Sequence, residues 1–268
     1  MDTPKITCLV LVYNEEKKIR SVISHALKWA DEVLIVDKSS SDQTAAIARE
    51  MGARVETVPF SKQGNEDSVS LFQMATHDWV WAFTASEMPT SGLIEAGKKI
   101  LAEQGGQFDV VCVPFVYFSF GIHNVKSPWG LSSQPRITHK TRAMIQSSVH
   151  EHVICNPLRT TSIQFAPGCY AIHQTHGGVE SFMTSHLAYM QAEATKPDPQ
   201  AQITKALAMA GDWEANFKSD PELFPQHLAW KIYWYGVALH CWEKMIGGDF
   251  SDEYRARAEA MLKSQWLS

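Results

Sequence analysis

Apolar and polar positions follow two rhythms along this chain. "ITCLVLVY" (6–13) is a short continuous apolar run rich in β-branched residues, which predicts a strand buried on both faces. Beyond Asn14 and Glu15, the apolar positions Ile19, Val22, Ile23, Ala26 and Leu27 fall at helical spacing. "EVLIVD" (32–37) predicts a second strand and "KSSSDQT" a turn. Ser41 or Asp42 can cap a helix over 43–51, with Gly52 as its stop. "RVETVPF" then predicts a third strand, 68–75 a helix, 79–83 a fourth strand, 91–102 a helix and 109–118 a long apolar strand. Strands alternating with helices predict an α/β, Rossmann-like unit, a mostly parallel sheet with helices on both faces.

The rhythm changes near residue 119. Residues 119–170 contain Gly, Pro and Ser and predict loops and short strands. From 179 the pattern is helical, with helices expected over 179–195, 199–217, 223–245 and 252–266, punctuated by "KPDP" and "KSDPELFP". The chain thus divides into an α/β domain, 1–178, and a C-terminal α-helical region, 179–268. In "HLAWKIYWYGVALHCW", Trp230, Tyr233, Trp234, Val237, Leu239 and Trp242 predict a helix buried on more than one face, in the core or in an oligomer. A surface for a lipid-linked acceptor or a peripheral membrane contact is the alternative, and the lack of a basic face counts against it.

Composition narrows the function classes. The 268 residues are 45% hydrophobic and 20% charged, as in ordinary globular domains. The net charge of -5, without a basic run or aromatic–basic interleaving, argues against a nucleic-acid partner. The five cysteines are scattered with no CxxC pair, which predicts reduced thiols rather than a disulfide framework or a zinc site. No signal-peptide pattern is visible, and the apolar segment 227–242 contains Lys231 and is too short to span a bilayer. The expected address is the cytoplasm, with the inner face of the membrane as a second station.

Candidate chemistry gathers at the strand ends. "VYNEE" (12–16) and "VDKSSSDQT" (36–44) put Tyr13, Asn14, Glu15 and Asp37 where neighbouring parallel strands finish. Such ends form a shared crevice beside helix N-termini that favour phosphate. A carboxylate there can accept from a nucleobase or ribose, and Tyr13 offers an aromatic face. Either motif alone reads equally as a strand end followed by a helix cap.

"YNEE" (13–16), "WADEVLIVDKSSSDQT" (29–44), "ATHDWVWAFTASE" (75–87), "VHE" (149–151) and "YAIHQTHGGVESFMTSHLAYMQAEA" (170–194) occur in one co-linear order. In these segments the chain resembles the GT-A-fold glycosyltransferases of family 2, in particular the lipopolysaccharide-core glucosyltransferase-like branch. The resemblance implies a nucleotide-diphosphate sugar held by Tyr13, Asn14, Glu15 and Asp37. It also implies a divalent cation, Mg or Mn, on a D-x-D motif and transfer with inversion to a glycan or glycolipid acceptor. By the same resemblance Glu151 is the general base, with His150 in support, and His173 faces the metal or diphosphate.

The chain departs from that pattern where the metal would be held. The family's D-x-D-E is replaced by Thr84-Ala85-Ser86-Glu87, so both aspartates are absent and only Glu87 trails. Ser86 is a poor substitute for an anionic ligand. Glu87 and His173 are the remaining metal candidates. Lys38 replaces a usually small residue, and Ser68-Val69 stands where the branch carries a Lys/Arg-Asn pair. Lys38 or Arg136, the latter within "QPRITHK" (134–140), can neutralise a diphosphate without a metal; decay of activity explains the loss equally. Three readings stand at this point: a glycosyltransferase of cell-surface polysaccharide or lipopolysaccharide synthesis, a catalytically degenerate nucleotide- or carbohydrate-binding module, and nucleotidyl transfer. The third lacks a glycine-rich phosphate loop in "VYNEEKK".

Overall fold

The computed structural model describes residues 4–60, 68–128, 130–145 and 153–246. The chain forms two compact units, Met1–Val125 with Trp129–Thr175 and Lys126–Pro128 with His176–Ser268.

The first unit is built on β1 (Ile6–Val12), whose apolar residues are divided between two cores. Ile6, Cys8, Val10 and Val12 point to one face, where they meet helix α1 (Ile19–Ala26), helix α2 (Thr44–Glu50) and helix α4 (Ser91–Gln104). Leu9 and Leu11 point to the other, against Leu71 and Phe72 of α3 (Ser68–Gln73). Side chains alternate along a strand, so a strand covered on both faces must be apolar throughout. β1 pairs in parallel with β2 (Glu32–Asp37) and β4 (Trp79–Thr84), and β2 with β3 (Arg54–Thr57). Partner registers put Asp37 beside Val12 and Thr84 beside Leu11, so three strands end at one level. This half matches the α/β expectation.

The remainder of the sheet is mixed. β6 (Val110–Ser119) and β7 (Leu131–His139) pair antiparallel, and β7 pairs antiparallel with β4. The sheet runs β3-β2-β1-β4-β7-β6-β11-β5, where β5 is Glu87–Pro89 and β11 is Ala171–His176. Short strands β8 (Met144–Ile145) and β9 (Val153–Ile154) form a separate pair, and β10 (Thr160–Ser162) joins β6. The 119–170 region, expected as loops and short strands, therefore supplies a nine-residue strand to the centre of the sheet. All five cysteines are free.

In the second unit α5 (Val179–Glu193), α6 (Pro199–Gly211), α7 (Glu214–Ser219) and α8 (Phe224–Ile246) enclose Met190, Ala206, Ala210, Trp234, Val237 and Cys241. The helix expected over 199–217 is two helices, because Trp213 takes a left-handed φ of 69° after Gly211 and Asp212. Lys231, within the apolar stretch of α8, donates to Glu214 at 2.6 Å. A Cβ at Gly236 would lie 2.4 Å from Met190 Sδ, so α5 and α8 need glycine to pack this closely. Among the described residues no helix is long and apolar enough to cross a membrane. The segment 252–266, expected as a helix, lies outside them.

Candidate active site

The loops after β1 and β2 are locked together by reciprocal hydrogen bonds. Asn14 adopts a left-handed φ of 54°, a conformation asparagine tolerates better than most residues. Its Oδ1 accepts from the Ser41 N–H at 2.8 Å, and its own N–H donates to Ser40 Oγ at 2.9 Å. The Glu15 N–H donates to Thr44 Oγ1 at 2.7 Å, and the Glu16 N–H to Asp42 Oδ2 at 3.1 Å. Burial raises the Asp42 carboxyl, but hydrogen bonds from the Thr44 hydroxyl and from the Thr44 N–H, the latter at 2.9 Å, outweigh it and pull the group below its ordinary value. Asn14 and the "SSSD" turn thus shape the crevice wall from within.

On this wall Asp37 is buried, with both carboxylate oxygens accepting from the Ser40 N–H at 3.2 and 3.3 Å. Tyr13 is exposed, its ring 4.4 Å from that of Phe60, and Lys38 Nζ lies 5.5 Å from the same Phe60 ring. Lys38 is buried and does not stand in the open crevice. Glu15 forms an ion pair with Lys18 at 3.2 Å.

The degenerate segment closes the other side. The β3-β2-β1-β4 order reverses direction between β1 and β4, the switch point where open α/β sheets hold ligands. A cavity of about 160 Å³ opens between the start of α1, the segment that follows β4 and β11, lined by Lys18, Ser21, Ser86, Glu87 and Gln174 with apolar Val22, Met88 and Ile172. Thr84 and Ser86 hydroxyls bond each other at 3.0 Å. Glu87 is fully engaged: Oε1 accepts from Arg136 Nη2 at 2.6 Å, and Oε2 from the Thr84 N–H at 2.9 Å. His173, paired with Glu87 across β5 and β11, places Nδ1 3.6 Å from Glu87 Oε1. Burial holds its imidazole below the ordinary value, and Arg136 adds to that against the pull of Glu87. Tyr117 packs on His173 with ring centroids 5.2 Å apart and bonds Ser132 Oγ at 2.8 Å, while Arg136 stacks 5.1 Å from the Phe115 ring.

This geometry tests the expected metal. A hard divalent cation takes several oxygen ligands, most of them anionic or carbonyl. Here Glu87 and His173 do meet, but both Glu87 oxygens are committed and a guanidinium occupies the flank. Residues 84–86 bring no charge. Among the described residues no cluster of three or more His, Cys, Asp and Glu forms. The donor set does not fit a divalent ion: Glu87 is ion-paired with Arg136, and the His173 imidazole lies beside that pair.

Of the remaining expectations, Tyr13, Asn14, Glu15, Asp37 and Lys38 gather on one wall and Ser86 lines the cavity, whereas His150 and Glu151 lie outside the described residues. The Arg136 side chain is 18% exposed and tied to Glu87. Sequence reading passed over Lys18, Tyr117, Ser132 and Gln174. Only Lys18 carried a signal, as a cation in "YNEEKK" at the head of the first helix.

Comparison with known proteins gives the same direction. Residues 7–172, well over half of the chain, match the family described as glycosyl transferase family 2. An uncharacterized glycosyltransferase of Rickettsia bellii is 30% identical over 102 residues, covering 38% of this chain and 34% of the relative. The glycosyltransferase SunS of the Bacillus subtilis SPbeta prophage is 30% identical over 90 residues, covering 32% of this chain and 21% of the relative. The chain spans between about a fifth and about a third of the length of these relatives. Among solved structures, Mycobacterium tuberculosis glucosyl-3-phosphoglycerate synthase in complex with Mn2+, UDP and glucosyl-3-phosphoglycerate has a TM-score of 0.34 and 21% identity, covering 43% of this chain and 44% of that one. With its parallel β3-β2-β1-β4 half, its mixed second half and its C-terminal helices, the chain has a GT-A-like fold and belongs to glycosyl transferase family 2.

Proposed function

We propose that this chain transfers a sugar, with inversion, from a nucleotide-diphosphate sugar to a hydroxyl of a glycan or glycolipid acceptor in cell-surface polysaccharide or lipopolysaccharide synthesis. The observation that carries the reading is the pre-formed crevice. Two hydrogen-bonded loops hold Tyr13 and Asp37 at the ends of adjacent parallel strands, and Lys18, paired with Glu15 of the first loop, lines the cavity beside Ser86 and Glu87. Asp37 accepts from the base or ribose and Tyr13 covers the base. Asn14 and Glu15 brace that wall.

Departure of the nucleoside diphosphate needs its growing charge neutralised. With a donor set that does not fit a divalent ion, this task falls to protein groups: Lys18 at the cavity, Lys38 beneath the crevice and the Ser86 hydroxyl. Arg136 acts through Glu87. It holds the carboxylate side-on and keeps it from repelling the diphosphate. Arg136 Nε and His173 Nδ1 are buried without hydrogen-bond partners, and a bound ligand or water can satisfy both. On the acceptor side Glu151 is the base that takes the hydroxyl proton during in-line attack at the anomeric carbon, supported by His150.

A second reading is favoured by one observation, the loss of both aspartates from residues 84–86: a GT-A-like module that binds nucleotide or carbohydrate without turnover. Calorimetric titration with UDP, GDP and their sugar conjugates, in Mn2+ and in EDTA, tests both. Binding that survives EDTA, with release of nucleotide on adding acceptor, supports the metal-free transferase. Binding without turnover supports the module. Binding lost in EDTA refutes neutralisation by protein groups, and no binding at all refutes the crevice assignment.

A further inference from the structure

The crevice holds an aromatic pair that core packing does not account for. Tyr13 follows β1 and Phe60 lies three residues beyond β3, and their rings meet at 4.4 Å with a tilt of 44°. Tyr13 is 42% exposed and Phe60 48%, so the contact shelters neither ring from water. The strand order gives this contact its meaning. β2 lies between β1 and β3, and neighbouring strands run about 4.8 Å apart, so side chains alone bridge chain ends roughly 10 Å apart. The rings therefore meet across the end of β2, the strand whose last residue is Asp37.

The backbone around the pair is anchored. The Val58 N–H donates to the Asp37 carbonyl at 2.9 Å, and the Val58 carbonyl accepts from Ser39 Oγ at 2.8 Å. Asn14, next to Tyr13, is bonded to the turn after β2 through both its backbone N–H and its side chain. Phe60 thus stands two residues from a fixed point, while its ring is free to swing between staggered χ1 wells. The Lys38 ammonium, 5.5 Å from the Phe60 ring, is attracted by the ring's negative face. The buried Asp37 carboxylate shares the Ser40 N–H between its two oxygens, which leaves acceptor positions for a further donor.

On the nucleotide-sugar reading proposed above, on which this assignment rests, we infer that Phe60 and Tyr13 are the two jaws of an aromatic clamp. The clamp closes on the nucleobase of the donor while Asp37 accepts from the base or ribose. A base stacked between two rings needs them about 7 Å apart, two contact distances of about 3.5 Å. The resting 4.4 Å is too narrow, so the base enters by parting the rings. One tilted contact is then exchanged for two stacked ones. Stacking accepts any base, because every base has a π-face, and discrimination between bases falls to Asp37.

Calorimetric titration of the full chain with UDP, GDP and inorganic pyrophosphate tests the clamp, on wild type, Phe60→Ala, Phe60→Leu and Phe60→Trp. The Ala and Leu variants are expected to bind both nucleotides about tenfold or more weakly, and the Trp variant as tightly as wild type. Pyrophosphate has no base, so its affinity is expected to be the same in all four proteins. In Phe60→Trp the emission gained over wild type is expected to be quenched by UDP and not by pyrophosphate, a signature that a merely structural ring would not give. Nucleotide affinities left unchanged in Phe60→Ala and Phe60→Leu overturn the clamp while the crevice reading stands. Pyrophosphate weakened in step with UDP also overturns it, because the ring then supports the loop and not the base. A wild type that binds neither nucleotide overturns the crevice reading, and the clamp with it.

Discussion

Replacing Arg136 by methionine removes the guanidinium bonded to Glu87 and leaves a carboxylate whose side chain is 1% exposed. Breaking a buried pair from one side typically costs about 3–5 kcal/mol. Arg136→Met is therefore expected to lose about 3 kcal/mol in urea denaturation at pH 7. A loss of about 3 kcal/mol corresponds to a melting point lower by about 6–12 °C for a unit of this size. The double variant Glu87→Gln with Arg136→Met should recover most of the loss, since neither charge remains to be buried alone. A penalty below about 1 kcal/mol at pH 7, or a double variant no more stable than Arg136→Met alone, would refute the claim that Arg136 compensates a buried charge.

Other perturbations address the crevice and the chemistry. Asp37→Ala should weaken UDP or GDP binding by about tenfold or more in calorimetry, the worth of a charge-assisted hydrogen bond; unchanged affinity would remove Asp37 from the site. Glu151→Gln should lower transfer by about 100-fold or more while donor affinity stays put, and retained turnover would end its role as base. Ser86→Asp adds one carboxylate beside a Glu87 already paired with Arg136, so Mn2+ binding should stay weaker than about 0.1 mM; tighter binding would show that the metal geometry persists. Asp42→Ala deletes the acceptor for the Glu16 and Thr44 N–H groups and should cost about 1 kcal/mol of stability, read by thermal denaturation.

What could be read from sequence, and what could not, follows from where each interaction is encoded. β1, β2 and β4 announce themselves because a strand buried on both faces has no polar positions to interrupt its apolar run. Their ends were equally legible, since "YNEE" and "DKSSSDQT" each complete their turn within a few residues. β7 offers neither signal. Its sequence, LSSQPRITH, is polar over most of its length and buried only at Ile137 and Thr138, because one flank pairs with β6 and the other meets β4 for only three residues. No local period distinguishes such a strand from a loop. Its polarity instead reflects what it delivers: Arg136 is carried by antiparallel pairing to Glu87, 49 residues earlier, and Ser132 to Tyr117. The charge that answers Glu87 is thus written in the register of β7, a non-local property. The same holds for α8: Trp230, Tyr233, Trp234, Val237, Leu239 and Trp242 read together as buried on more than one face, and only packing separates Trp234, Val237 and Cys241 in the core from the exposed Leu239. In both places the hydrophobic pattern supplied the element, and the fold decided which side chains remained to act.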